Sequence, residues 1–133
     1  MDGGTSFAPD AIAIETMARA TLARLPEPFA RHLDGVLLRV EEFAEEAILD
    51  ELGIDDPFGL TGLYQGRPIG EKSSSDSGAL PDMIFLYRRA LLDEWVETGV
   101  ALEALVAHVV IHEVGHHFGL SDADMHALEA MAE

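Results

Sequence analysis

Residues 102–120 are apolar nearly all the way round a helix, through Leu102, Leu105, Val106, Val109, Val110, Ile111, Val114, Phe118 and Leu120, yet His112, Glu113 and His116 lie among them. A segment with this pattern cannot rest on a surface, so it predicts a helix buried in the rest of the fold. Burying two imidazoles and a carboxyl without partners costs on the order of several kcal/mol, so the fold must supply partners. A bound metal ion would do so, and so would a metal-free network of buried polar groups.

The spacing favours the metal. His112 and His116 stand four apart, on one face of a helix of about 3.6 residues per turn, so both rings can reach one ion. Glu113 is turned about 100° from His112, beside such an ion, where it can take a proton from metal-bound water. Gly119 is the residue type that reverses a chain in the left-handed conformation, and it is expected to end the helix. Asp122 can then fold back and offer a carboxylate oxygen as third ligand. Three protein ligands and one open position characterise a catalytic zinc, whereas a structural zinc is usually closed by four. The expected site is therefore Zn2+ on His112, His116 and Asp122, with Glu113 as general base and later general acid. Other divalent ions also accept two imidazoles and a carboxylate.

The run His112-Glu113-Val114-Gly115-His116-His117-Phe118-Gly119-Leu120-Ser121-Asp122 resembles the zincin-like metallopeptidases, and within them the small bacterial minimal zincins, whose motif is HExxHxxGxxD. It is also similar to the metzincins, which place a third histidine where this chain has Asp122. Met125 and Met131 stand closer to the motif than the metzincin methionine turn does. The order of residues 59–66, then 81–88, then the motif helix resembles the minimal-zincin layout and extends the likeness to most of the chain. The resemblance implies a zinc-dependent peptidase fold acting on a peptide or protein substrate. It also implies a sheet whose edge strand can take an extended peptide as an added strand, the second or the third strand here. Large zincins add a subdomain that walls the specificity pocket, and about a dozen residues follow Asp122 here. The alternative is thus a metal-stabilised binding or regulatory module on the same fold, without turnover.

Other residues compete for roles. Glu129 rivals Asp122 as third ligand, but Asp122 fits the position three past the glycine. His108, one turn before His112, could extend the cluster, and is read first as a supporting or packing residue. His117 should contact the sheet or a carboxylate, Asp124 should cap the final segment, and His32 and His126 should lie on the surface. Tyr64 and Tyr87 could stabilise an oxyanion, although strand aromatics usually pack. Arg88 and Arg89 should pair with nearby carboxylates.

Around the motif, apolar positions from Phe7 to Leu25 recur at three- and four-residue steps and predict a helix closed by Pro26. Residues 36–40, 59–65 and 83–87 read as strands, 41–52 and 91–97 as helices, and the serine-rich 71–80 as a loop. A turn is expected at Gly66-Arg67-Pro68. The sum is one α+β domain over residues 1–133, with a small three- to four-stranded sheet, helices gathered on one side and a buried active-site helix among them.

With 25 acidic against 8 basic residues, the chain carries a net charge of −17, which disfavours nucleic acid and fits a solvated surface. Cysteine is absent, so neither a disulfide framework nor a thiolate site is expected. No signal peptide or membrane span is read in the chain, and a cytoplasmic location is expected.

Overall fold

The computed structural model describes residues 8–27, 29–33, 35–66 and 82–132, with the backbone alone at 32, 131 and 132. The expected loop at 71–80 and the second half of the turn at Gly66-Arg67-Pro68 lie outside them. Helix α1 spans Ala11–Ala23, started by Asp10, whose carboxylate accepts the Ala13 N–H at 2.8 Å. A short helix α2, Phe29–His32, leads into strand β1, Leu37–Glu41. Helix α3 spans Glu46–Leu52, a 3-10 turn Pro57–Gly59 follows, and strand β2 runs over Gly62–Gln65. Strand β3, Met83–Tyr87, passes directly into helix α4, Arg88–Thr98. Helix α5, Leu102–Phe118, carries the histidines, and helix α6 spans Asp122–Ala132.

The three strands lie in the order β1-β3-β2, with β1 parallel and β2 antiparallel to β3. The third strand is therefore central, which removes it as an edge for an added peptide and leaves β2 of the two expected candidates. Alternation along the strands sorts their side chains to two faces. Leu38, Val40, Tyr64, Ile84 and Leu86 join the main core with α1 and α5, while Leu63, Phe85 and Tyr87 meet Leu49 and Ile48 of α3. The helices thus cover both faces rather than one, because β3 is apolar on both sides.

Helix α5 is the centre of the main core: Val106, Val110 and Val114 are fully buried along it, against Ile14 and Ala18 of α1 and Ile84 and Leu86 of β3. Each such side chain contributes roughly 1.5–3 kcal/mol of apolar burial. It ends as expected at Gly119, whose φ is +68°, with the Leu120 N–H reaching the Gly115 carbonyl at 2.9 Å and the Gly119 N–H reaching that of His116 at 3.3 Å. Ser121 and Asp124 then cap α6 reciprocally: the Asp124 N–H donates to Ser121 Oγ at 3.2 Å, and the Ser121 N–H to Asp124 Oδ2 at 3.4 Å. No helix among the described residues is long and apolar enough to cross a membrane.

Two positions give sharp tests of the packing. A Cβ on Gly62 would stand 2.5 Å from Val109 Cγ1, so the absent side chain lets β2 rest on α5. Gly62→Ala should lower unfolding stability by about 1–3 kcal/mol in denaturant titration, and an unchanged midpoint would sink this account of the close approach. Tyr87 is fully buried, and its hydroxyl has no hydrogen-bond partner among the described residues. Burial, then the charges of Glu41, Glu45 and Glu113, push its phenol from the usual 10 up to about 12. Between these values the unfolded chain has lost the proton and the folded chain has kept it, so stability falls as pH rises from 10 to 12. Tyr87→Phe should be as stable as the parent or more stable at pH 7, and should lose less stability between pH 10 and 12. A parent and variant that melt in parallel across that range would refute it.

Candidate metal centre and general base

Positions 104, 108, 112 and 116 form one stripe along α5, each four residues from the next. Ala104, His108 and His116 are exposed there and His112 is half-buried, so the stripe is the open face of an otherwise buried helix. Glu113 is turned from it toward β2 and is only 8% exposed. Its Oε1 lies 3.4 Å from His116 Nδ1, and the backbone N–H of Tyr64 hydrogen-bonds its carboxylate. Burial pushes the Glu113 carboxyl above its ordinary range, while the His116 charge and the hydrogen bonds from Tyr64 and His116 pull it back. The result is a buried carboxyl whose ionisation is opposed by burial, with donors aimed at its charged form.

His112 is shifted the other way. Burial lowers its pKa, the neighbouring His108 and then His116 lower it further, and the carboxylates of Glu129 and Asp122 oppose them. Its imidazole is thereby kept neutral, the form that binds metal. Donor chemistry at this end of α5, imidazoles with carboxylates and no thiolate, suits zinc and its neighbours among divalent ions.

Asp122 opens α6 and is exposed, near enough to His112 for its charge to act there. His112, Glu113 and His116 share two adjacent turns of α5, as the spacing predicts. Among the described residues, however, the three side chains whose ligand atoms all lie within 4.8 Å of one another are His108, His112 and Glu129. His116 and Asp122 stand outside that group; the His116 side chain is 60% exposed and leans on Glu113. His108 Nδ1 is 2.5 Å from Glu129 Oε1, and its ring lies 4.2 Å from that of His112.

Helix α6 runs back along α5, since Glu129 meets His108 while Met125 packs over Gly115. Met125 is buried beneath the motif, where a Cβ on Gly115 would collide with its sulfur at 2.2 Å. The methionine that stands too near the motif to match the metzincin turn therefore supports it from a helix instead.

His117 is 1% exposed, and its Nδ1 hydrogen-bonds the Tyr64 hydroxyl and lies 3.5 Å from Asp82 Oδ2. It meets both the sheet and a carboxylate, as expected of it. Tyr64 is committed to this buried trio through its side chain, with its phenol pushed well up by burial and by Asp82, so its backbone rather than its hydroxyl serves Glu113. Tyr87 lies on the opposite face of the sheet, stacked 6.3 Å from Phe85. Arg88 pairs with Glu42 at 2.8 Å, whereas Arg89 sits over the Phe43 ring at 5.6 Å. His126 is a surface residue 3.8 Å from Glu129, and the side chain of His32 lies outside the described residues.

The Tyr64 amide and Asp82 were not singled out for these roles by their sequence positions. Tyr64 lies within β2 and Asp82 just before β3, and no local pattern says which backbone N–H a strand will turn toward a helix. Gly62 offers the one signal, a glycine inside a strand, which marks a close approach.

No curated protein matches this chain. The family model for zincin-like metallopeptidases matches residues 33–132. Because that span takes in the sheet, the histidine stripe, Glu113 and the Asp122 and Glu129 carboxylates of α6, the chain belongs to the zincin-like metallopeptidase family.

Proposed function

We propose that this protein is a zinc-dependent peptidase in which His112, His116 and Asp122 hold the ion and Glu113 is general base and general acid. The family implies a metal ion, typically zinc, and a peptide or protein substrate. The observation that carries the reading further is the placement of Glu113: a buried carboxyl with a raised pKa, fixed by the Tyr64 amide and His116 beside the histidine stripe. When bound, zinc supplies Lewis acidity that makes water an effective nucleophile near neutral pH and polarises the peptide carbonyl. Glu113 accepts the proton of the attacking water and passes it to the leaving amine. The Tyr64 N–H keeps the carboxylate aimed while it does so. Among the described strands β2 has β3 on one side and no strand on the other, so its outer edge beside Glu113 is where an extended peptide would add. A cytoplasmic setting is consistent with the absence of cysteine.

The test is Glu113→Gln, which keeps size and hydrogen bonding and removes the base. Metal content per chain should stay at the parent's value while hydrolysis of a library-selected peptide falls about a hundred- to ten-thousand-fold. Full activity in the variant would end the mechanism. A parent that cleaves no peptide, yet melts at a lower temperature once zinc is removed, would instead make the chain a metal-stabilised binding module.

A further inference from the structure

The convergence of His108, His112 and Glu129 overlaps the proposed peptidase centre at His112 alone, and it has the make-up of a cation site of its own. Two imidazoles come from adjacent turns of α5 and one carboxylate from α6, with one ligand atom of each within 4.8 Å of the others. Four-coordinate zinc with bonds of about 2.0–2.1 Å needs ligand atoms roughly 3.3 Å apart. The His108–Glu129 contact of 2.5 Å must open by about 1 Å to admit an ion between them. Both side chains have room to do so, being 48% and 22% exposed. They also line a cavity of about 480 Å³ whose other ionisable walls are Arg24, Glu94 and Glu103. Three carboxylates against one guanidinium give that approach a negative field that favours a cation.

We infer that His108, His112 and Glu129 form a second position for a divalent metal ion, one helical turn from the HExxH centre and sharing His112 with it. A neutral imidazole offers one nitrogen lone pair, so His112 serves one ion at a time. An ion held by His108 and Glu129 takes His112 away from His116 and Asp122 and sits apart from Glu113. The second position is thus a resting site that withholds metal from the general base. It requires the α5–α6 packing but not that His116 and Asp122 bind metal.

Cobalt titration, read by the visible absorption of the bound ion, separates the two positions in three proteins: the parent, His116→Ala with Asp122→Ala, and His108→Ala with Glu129→Gln. All four positions are exposed or half-exposed, so the helical signal in circular dichroism should be unchanged. If the first pair of changes costs helix, His116→Gln alone serves the same comparison. Each double variant should still bind one equivalent of Co2+, and adding His108→Ala to the first should weaken its binding at least about a hundredfold, the loss expected for a removed ligand. No binding in the first variant while the second binds like the parent would overturn the second position, as would loss in both. Binding in the first and none in the second would uphold it and overturn the assignment of His116 and Asp122 as metal ligands.

Discussion

Strand β2 rests on α5 because Gly62 presents no side chain to Val109, and the geometry around Glu113 follows from that contact. Once the strand is this close, the next inward-facing residue, Tyr64, can do two things at once. Its backbone N–H reaches the Glu113 carboxylate, and its hydroxyl reaches His117 one helical turn further on. Asp82 closes the buried trio from the start of β3. The carboxyl of Glu113 is thereby held by a backbone group in a sheet, which has no rotamers to lose, as well as by the flexible side chain of His116. A side chain at 62 would push away the strand and, with it, the donor that offsets the desolvation of Glu113.

The electrostatics of α5 follow from how unevenly it is buried. A helix apolar on nearly every side is expected to hide its ionisable groups, yet the stripe through His108, His112 and His116 opens to solvent while Glu113 does not. Burial acts in opposite directions on the two adjacent residues at the centre. It keeps His112 neutral by lowering its pKa, and it makes Glu113 basic by raising its own. One environment thus favours a neutral imidazole and a protonated carboxyl side by side, in residues that differ by one step of the helix.

What could be read from sequence was local. Residues 102–120 announce α5 by composition, and Gly119 announces its end because glycine takes the left-handed conformation without strain. Asp124 announces a cap for the next helix, which it makes in exchange with Ser121. His117 follows from its angle on the helix. Strand order was not legible, because nothing in the pattern at 83–87 says whether an apolar strand is central or at an edge. It is central here, with Ile84 and Leu86 toward α5 and Phe85 and Tyr87 toward α3, and this divides the helices between two faces. The meeting of His108 with Glu129 was equally hidden, since it depends on the direction α6 takes after its cap.

That direction is set by packing rather than by the turn alone. Met125 lies over Gly115, and a larger residue at 115 would have to displace the Met125 side chain or shift the helices. With the register fixed there, Asp122 and Glu129, seven residues apart, fall on one face of α6, two turns from each other. The antiparallel course of α6 places Asp122 toward the His116 end of the stripe and Glu129 beside His108, so the two carboxylates bracket His112 from opposite ends. A glycine between the two motif histidines and a methionine one helix later therefore decide which carboxylates the imidazoles can meet. The meeting of imidazoles and carboxylates in this chain is a consequence of helix packing as much as of the spacing His-x-x-x-His.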